Sequence, residues 1–179
     1  MKIDTIVNQP VVETERLTLR PLRRSDRGLL EMYGADERVA RMTRSIPHPL
    51  PPGATDAFIQ RSLAEDREED VWVMDASRDD RAGLVGLIAL ERMDREQSEI
   101  GYWVAPAFWN TGLAQEAVRG LLEANPLNNQ AIFASVFQDN PASARVLTNN
   151  GFAYLGDAEG YSVARGATVP TWTYLKKYR

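Results

Sequence analysis

The feature that most constrains the fold is an apolar run that ends at a proline and passes through a glycine-containing loop into a helical pattern. The run covers residues 99–104, the proline is Pro106, and the loop at 109–114 contains Gly112. Turns of this kind also occur in α/β proteins that bind no phosphate. A strand that turns into a helix in this way points bare backbone N–H groups and the positive end of the helix dipole at one place. The segment therefore predicts an anion site, and a pyrophosphate fits it.

A second segment downstream places an amide and a hydroxyl at the start of another helix. Asn140 precedes Pro141, which suits the first helical position, and Gly151 ends the helical pattern. Ser143 falls in the first turn of this helix. Taken alone, Asn140 indicates a helix cap and Ser143 a solvated polar residue. Together with the anion site, they indicate the place where an acyl thioester carrier would present its reactive end.

Both segments resemble the GNAT superfamily of N-acetyltransferases, and most closely its RimJ/RimL-like branch of protein N-terminal acetyltransferases. In that branch the phosphate loop reads aromatic-Trp-Gly-x-Gly-x-Ala-x-Glu-Ala. Residues 108–117 depart from it chiefly at Asn110, and Asn also tolerates a left-handed backbone. The later pattern, Asn-x-x-Ser-x-Arg-Val-Leu followed by Gly-Phe, is matched at Asn140, Ser143, Arg145, Val146, Leu147, Gly151 and Phe152. The resemblance extends more loosely over residues 14–179.

The resemblance implies a single α/β (α+β) domain over residues 1–179, with its core in about 14–179. Its fold would be a mixed, mostly antiparallel sheet flanked by about four helices. The strands ending near Val104 and Val136 would splay apart, and the arm of an acyl-CoA would lie in the gap between them like an extra strand.

Hydrophobic periodicity along the chain agrees with that fold. It predicts strands at 14–22, 71–74, 84–90, 99–104, 131–136, 152–155 and 171–175, with turns at 79–80 and near Asp94. It predicts helices at about 25–34, 54–67, 112–123 and 141–149. Residues 35–53 and 160–170 show no regular pattern, so we expect irregular structure there and assign acceptor specificity to these segments.

The resemblance also implies the site residues. Acetyl-CoA would be the co-substrate, with no metal, and the residues that would bind it are Val104, Trp109, Asn110, Thr111, Gly112, Leu113, Ala114, Asn140 and Arg145. A backbone N–H near Val104 would polarise the thioester carbonyl. Trp109 is expected to pack beneath the loop, and Arg145 has a simpler interpretation as a surface charge.

Two side chains are the candidate catalytic residues. Many superfamily members protonate the departing thiolate with a tyrosine seven residues after the asparagine, but that position is Leu147 here. The resemblance therefore points to Ser143 as the acid. Glu99 is the candidate base, which would act through water on an ammonium. Alternatively, Glu99 only positions the amine. If Glu99 is simply a solvent-facing strand residue, it has neither role.

These features predict transfer of an acetyl group from sulfur to a primary amine by direct attack. The acceptor would be the N-terminal α-amine of a protein, such as a ribosomal protein. A small-molecule amine, such as a polyamine, an amino acid or an antibiotic, is the alternative. A module that binds acyl-CoA without turnover is a further alternative, which the presence of both Glu99 and Ser143 disfavours.

Composition excludes several other classes of function. The formal net charge of −4 argues against direct nucleic-acid binding. The absence of cysteine excludes disulfides, thiolate zinc sites and a cysteine nucleophile. The sole histidine, His48, lies among prolines, which disfavours a histidine metal cluster or a Ser-His-Asp triad. Residues 1–4 lack the apolar core of a signal peptide and no run approaches the length of a membrane span, so we expect a cytoplasmic protein. We expect it to be a monomer or a homodimer.

Overall fold

The computed structural model describes residues 9–79 and 83–178, which form one mixed sheet with helices on both faces. The strands in these residues are β1 (Val12–Glu13), β2 (Thr18–Pro21), β3 (Glu69–Asp75), β4 (Leu84–Met93), β5 (Gln97–Val104), β6 (Ala131–Phe137), β7 (Ala153–Ser162) and β8 (Ala167–Lys177). The α-helices are α1 (Arg27–Gly34), α2 (Glu37–Ala40), α3 (Ala54–Ser62), α4 (Leu113–Ala124) and α5 (Pro141–Asn149). The predicted turn at 79–80 is described only to Asp79, and residues 1–4 and 179 lie outside the described residues.

The strand order is β1-β2-β3-β4-β5-β6-β8-β7, and within the described residues only the β5–β6 pair is parallel. The predicted mixed, mostly antiparallel sheet is confirmed. The parallel ladder ends at the pair Glu99↔Phe133, although β5 and β6 both continue. Over that continuation β5 still pairs with β4, and β6 pairs with β8. The two strands therefore separate and leave a gap through the sheet, as predicted.

Each face of the sheet carries its own apolar core. On one face α4 and α5 pack over the larger cluster, which contains Trp72, Leu121 and Leu147. On the other face α1 and α3 pack over a smaller cluster that includes Leu30 and Ile59. Side chains alternate along a strand, so successive residues of β5 point to opposite faces.

That alternation assigns the side chains of β5 to the two cores. Ile100 and Val104 belong to the cluster under α4 and α5, and Trp103 packs on the cluster under α1 and α3. Glu99 shares the parity of Trp103, so it lies on the face that α1 and α3 cover.

Strands β3, β4 and β5 extend two or three residues beyond the predicted bounds, and two other predicted elements are shorter than the sequence indicated. Thr14 N donates to Leu17 O at 2.8 Å, and Leu17 N donates to Thr14 Oγ1 at 3.1 Å, which closes a turn. The strand predicted at 14–22 therefore begins at Thr18, as β2, and the short strand β1 precedes it. The predicted helix end near Arg67 is also wrong, because α3 stops at Ser62. The charged stretch beyond it offers no apolar face, and Arg67 Nε instead donates to the buried carboxylate of Asp70 at 2.6 Å.

Two segments expected to be irregular contain regular structure. α2 lies within 35–53, and Asp36 caps it by accepting the N–H of Arg38 at 2.9 Å. The described helices therefore number five rather than about four. Between 160 and 170, β7 and β8 remain paired as far as Ser162↔Ala167. Periodicity missed this hairpin because most of β7 is exposed on both faces and shows no alternation.

No helix in the described parts of the chain is both long enough and apolar enough to cross a bilayer.

Candidate active site

The loop between β5 and α4 has the backbone that an anion site requires. Asn110 (φ 62) and Gly112 (φ 80) both take the left-handed conformation. Gly112 is the N-cap of α4, and it has no side chain with which to cap the first turn. The first N–H groups of the helix have no intrahelical partner, and the helix dipole adds a partial positive charge at the same place. The loop is thus suited to a phosphate group.

The remaining residues of the loop hold its shape. The Thr111 hydroxyl donates to the Phe108 carbonyl and closes a turn within the loop. Leu113 is buried in the larger core, so its side chain anchors α4 while its backbone remains at the loop. Ala114 also packs against that core. Thr111, Leu113 and Ala114 therefore fix the loop from the side of the core. They leave backbone groups, rather than side chains, to contact a ligand.

A long-range ion pair braces the loop, and the sequence pattern gave no sign of it. Glu116, in the first turn of α4, accepts from Thr14 Oγ1 at 2.6 Å and from Arg16 N and Arg16 Nε at 2.8 Å each. Arg16 Nη1 donates to the Thr111 carbonyl at 2.9 Å. Burial opposes the charge of Glu116, but the hydrogen bonds from Thr14 and Arg16 outweigh it and lower its pKa. The pairing joins residues 100 positions apart, which no local pattern reveals.

The end of β5 presents its backbone to the gap. Ala105 N donates to Val85 O of β4 at 2.8 Å. Because backbone groups alternate in direction along a strand, the N–H and C=O of Val104 face the opposite side, where the gap lies. The Val104 carbonyl accepts from the indole N–H of Trp109 at 2.7 Å. The sequence predicted that Trp109 packs beneath the loop. Instead, its side chain is 43% exposed and its indole contacts the end of β5.

Asn140 and Ser143 lie in the first turn of α5, beside the gap. The side-chain oxygen of Asn140 accepts the N–H of Ser143 at 3.4 Å, which confirms the predicted cap. Ser143 Oγ donates to the Tyr102 hydroxyl at 2.9 Å, and that hydroxyl donates to the Ser143 carbonyl at 2.9 Å. Burial raises the pKa of Tyr102 far above its usual value, although the bond with Ser143 opposes the shift. Tyr102 is therefore a neutral partner that fixes Ser143 to β5.

Two other residues of the predicted set lie away from this contact. Arg145 is exposed on α5, and its carbonyl accepts from the Thr148 hydroxyl at 3.2 Å. Leu147, at the position where many superfamily members have a tyrosine, is fully buried in the larger core. That position can supply no proton.

A cavity of about 1150 Å³ connects the two faces of the sheet. Its lining includes Asn140 and Ser143 at the first turn of α5, and Glu99 and Trp103 on the opposite face of β5. The gap between β5 and β6 is what joins these two sides. A donor that lies against α4 and α5 can therefore meet an acceptor that enters from the α1 and α3 side.

The side of the cavity that α1 and α3 cover carries three glutamates in one row. Glu69, Glu91 and Glu99 are direct cross-strand partners on β3, β4 and β5, and all three line the cavity. Burial raises the pKa of Glu69, and Glu91 adds to the shift, while Arg44 and Arg61 oppose it. Like charges directly opposite one another destabilise a sheet, so the row costs stability and attracts cations.

Glu99 is already paired with a cation in this structure. Its Oε2 lies 3.0 Å from Arg44 Nη2, and the two side chains are 21% and 49% exposed. Sequence periodicity assigned neither Arg44 nor the other two glutamates to a site, because strand register aligns the glutamates and a long-range contact brings Arg44 to Glu99. No cluster of three or more His, Asp or Glu side chains suited to a metal ion occurs in residues 9–79 and 83–178.

Known proteins share both sequence and fold with this chain. Residues 16–153 match the family model of the acetyltransferase (GNAT) domain. The protein named uncharacterized N-acetyltransferase YoaA, from Bacillus subtilis (strain 168), is 28% identical over 174 residues, which cover 92% of this chain and 95% of YoaA.

Solved structures show the same fold at lower identity. RimJ of Mycobacterium smegmatis, in complex with CoA-disulfide, has a TM-score of 0.81 at 18% identity and covers 96% of this chain and 88% of its own. Spermidine N-acetyltransferase from Vibrio cholerae, in complex with CoA and spermine, has a TM-score of 0.76 at 18% identity and covers 90% of this chain and 95% of its own. Because the domain match spans most of the chain and includes both β5 and the first turn of α5, this protein belongs to the GNAT family of acetyltransferases.

Proposed function

We propose that this protein transfers the acetyl group of acetyl-CoA to a primary amine, acting as a soluble cytoplasmic enzyme. The observation that carries the proposal is the cavity that passes through the sheet at the gap between β5 and β6. A phosphate-suited loop lies at the end of β5, and a row of carboxylates lies on the opposite face. This arrangement suits a donor that bears phosphates and an acceptor that bears a positive charge.

The donor lies along the gap in this proposal. Its pyrophosphate contacts the loop at 109–114, and its pantetheine arm runs beside β5. Two features support that placement: the first turn of α4, which no side chain caps, and the Val104 backbone, whose N–H faces the gap. That N–H donates to the thioester carbonyl oxygen and stabilises the negative charge that develops there. Asn140 and Arg145 complete the contacts at the reactive end and along α5.

The chemistry proceeds by direct attack of the amine on the thioester. The C–N bond forms, the C–S bond breaks, and the electron pair leaves with the sulfur. Glu99, acting through water, takes the proton that the acceptor ammonium must lose before it can attack. The nitrogen loses a second proton as the amide forms, and this proton reaches the sulfur through Ser143, whose hydroxyl gives its own proton to the departing sulfur and is reprotonated by the one from nitrogen. The contact of Ser143 with Tyr102 keeps the hydroxyl beside the gap, and the O–H turns from Tyr102 toward the sulfur when it donates there.

The α-amine of a polypeptide is the acceptor that we favour. An α-amine has a pKa near 8, so a larger fraction is neutral at pH 7 than for a lysine side chain. The Glu99 carboxylate is already engaged by Arg44, so an acceptor that needs little help from a base suits this site best.

A polyamine is the second candidate. The row of Glu69, Glu91 and Glu99 favours it, because three carboxylates across neighbouring strands can face several ammonium groups of one chain.

A CoA-release assay with an acceptor panel tests the proposal. The panel contains peptides with a free N-terminus, the same peptides N-acetylated beforehand, free amino acids and spermidine. We expect saturable CoA release with an equal amount of acetylated product by mass spectrometry, and none from the blocked peptides. Acetyl-CoA that raises the melting temperature but releases no CoA with any acceptor would contradict turnover and indicate a binding module.

A further inference from the structure

We propose that Arg44 is a specificity-determining residue that selects acceptors bearing a carbonyl or carboxylate next to the amine. A peptide N-terminus and a free α-amino acid share this chemistry, whereas an alkylamine and a polyamine lack it. The inference rests on the proposed acetyl transfer and names the acceptor class of the same site.

The first observation is the position of the Arg44 guanidinium. Its Nη2 lies 3.0 Å from Glu99 Oε2, inside the cavity that the acceptor must enter. The Arg44 side chain is 49% exposed, and half-exposed ion pairs contribute little stability. An incoming ammonium can therefore take the Glu99 carboxylate from Arg44 without a large penalty.

The second observation is that Arg44 has little freedom to move away once it is displaced. Its carbonyl accepts from Val163 N at 3.0 Å, and Arg165 Nε donates to the Arg41 carbonyl at 3.0 Å. Arg165 is itself paired with Asp139 at 2.7 Å. The segment that carries Arg44 is therefore fastened at two points to the turn between β7 and β8.

The stem of Arg44 passes close to Gly160 of β7, where an added Cβ would lie 3.7 Å from Arg44 Cδ. Because the backbone of Arg44 is held and its stem runs along β7, the guanidinium stays within reach of Glu99 when an acceptor binds.

The charges then decide which acceptors fit. An ammonium bound to Glu99 has the Arg44 guanidinium as its neighbour. In an α-amino compound the carbonyl oxygen is three bonds from the nitrogen, along N–Cα–C=O, so it can accept from Arg44 while the nitrogen contacts Glu99. In a polyamine the nearest polar group is a second cation, which Arg44 repels. Glu69 and Glu91 attract that second cation, so Arg44 and the glutamate row favour different acceptors.

The test compares Arg44→Met with wild type on five acceptors. L-alaninamide carries a carbonyl, L-alanine carries a carboxylate, isopropylamine is similar in size but carries neither, and spermidine carries further cations. A tetrapeptide with an N-terminal alanine distinguishes a polypeptide source from a free amino acid. Methionine keeps an unbranched stem of similar length and removes only the guanidinium charge and its donors.

We expect kcat/KM for alaninamide and the peptide to fall at least tenfold in Arg44→Met. Isopropylamine should change less than twofold, and spermidine should improve. The matched control is Arg41→Met, three residues earlier, where the guanidinium approaches Asp139 at 3.7 Å and not Glu99. That control should leave all the ratios between acceptors unchanged.

An equal loss for every acceptor in Arg44→Met would overturn the inference, since Arg44 would then only hold Glu99. Equal wild-type kcat/KM for alaninamide and isopropylamine, each divided by the fraction of that amine that is neutral at the assay pH, would overturn it even if Arg44→Met failed to fold. The proposed function fails separately, when wild type releases no CoA with any acceptor.

Discussion

The ion pair between Arg16 and Glu116 should control both the stability of the fold and the shape of the phosphate loop. Replacing Glu116 with Gln keeps the size of the side chain but turns one acceptor oxygen into a donor. That amide would face either Arg16 Nε or the pair formed by the Thr14 hydroxyl and Arg16 N. At least one buried or half-buried donor then loses its partner, because a donor cannot accept from another donor.

The expected loss is about 2–3 kcal/mol, which is the scale of one or two hydrogen bonds to a charged group. The Glu116 side chain is 15% exposed and Arg16 is 28% exposed, so solvent weakens the pair only in part. For a domain of this size each kcal/mol shifts the melting temperature by roughly 2–4 °C, which predicts a decrease of about 4–12 °C. Because Arg16 also holds Thr111 O, the KM for acetyl-CoA should rise severalfold.

Urea denaturation of Glu116→Gln beside Glu123→Gln measures this effect, since Glu123 is exposed on the same helix. The pKa of Glu116 is lowered from 4.5 in the folded state, so its stabilisation is complete above that value and is lost as the pH falls through the folded pKa. The difference between wild type and Glu116→Gln should therefore hold from pH 6 to 8 and shrink below about pH 4. A Glu116→Gln protein as stable as Glu123→Gln at pH 7, with an unchanged KM, would refute the bracing role.

Other substitutions test the gap and the reaction centre. Gly112→Val should raise the KM for acetyl-CoA more than tenfold, about 1.4 kcal/mol, because the left-handed backbone and the anion both exclude a branched side chain; an unchanged KM in a folded variant would remove the loop assignment. Ser143→Ala and Tyr102→Phe should each lower kcat with the acetyl-CoA KM within about twofold, and the double variant should lose no more than either single one; fully additive losses would show that the two hydroxyls act independently. Asn140→Ala should cost about 1 kcal/mol of stability as a lost cap and also weaken acetyl-CoA binding in calorimetry, whereas a melting shift alone would leave it a structural cap. Glu99→Gln should lower kcat/KM most near pH 6, where the amine is protonated, and a loss independent of pH would indicate positioning rather than proton transfer.

Local patterns predicted the parts of the fold whose cause is local. The loop before α4 follows from Gly112 and Asn110, which accept a left-handed backbone, and α5 begins and ends where Asn140 and Gly151 require. The separation of β5 from β6 was predicted from the family resemblance, because hydrophobic periodicity alone does not determine the order of strands in a sheet.

The residues that sequence reasoning missed are joined by long-range contacts. Arg16 meets Glu116 across 100 positions, and Arg44 meets Glu99 only because the segment after α2 is fastened to the β7–β8 turn. The glutamate row depends on the register of three strands, and a shift of one residue would send Glu69 to the opposite face. No single stretch of sequence contains that information.

A crystal structure of the protein with acetyl-CoA tests the central claim most directly. We expect the pyrophosphate on the backbone N–H groups at 109–114, the pantetheine arm between β5 and β6, and the thioester carbonyl at Val104 N. The acetyl carbon should then face the cavity on the side of Glu99, with the sulfur on the side of Ser143. Acetyl-CoA bound outside the gap, or with its acetyl group turned away from Glu99, would contradict the account.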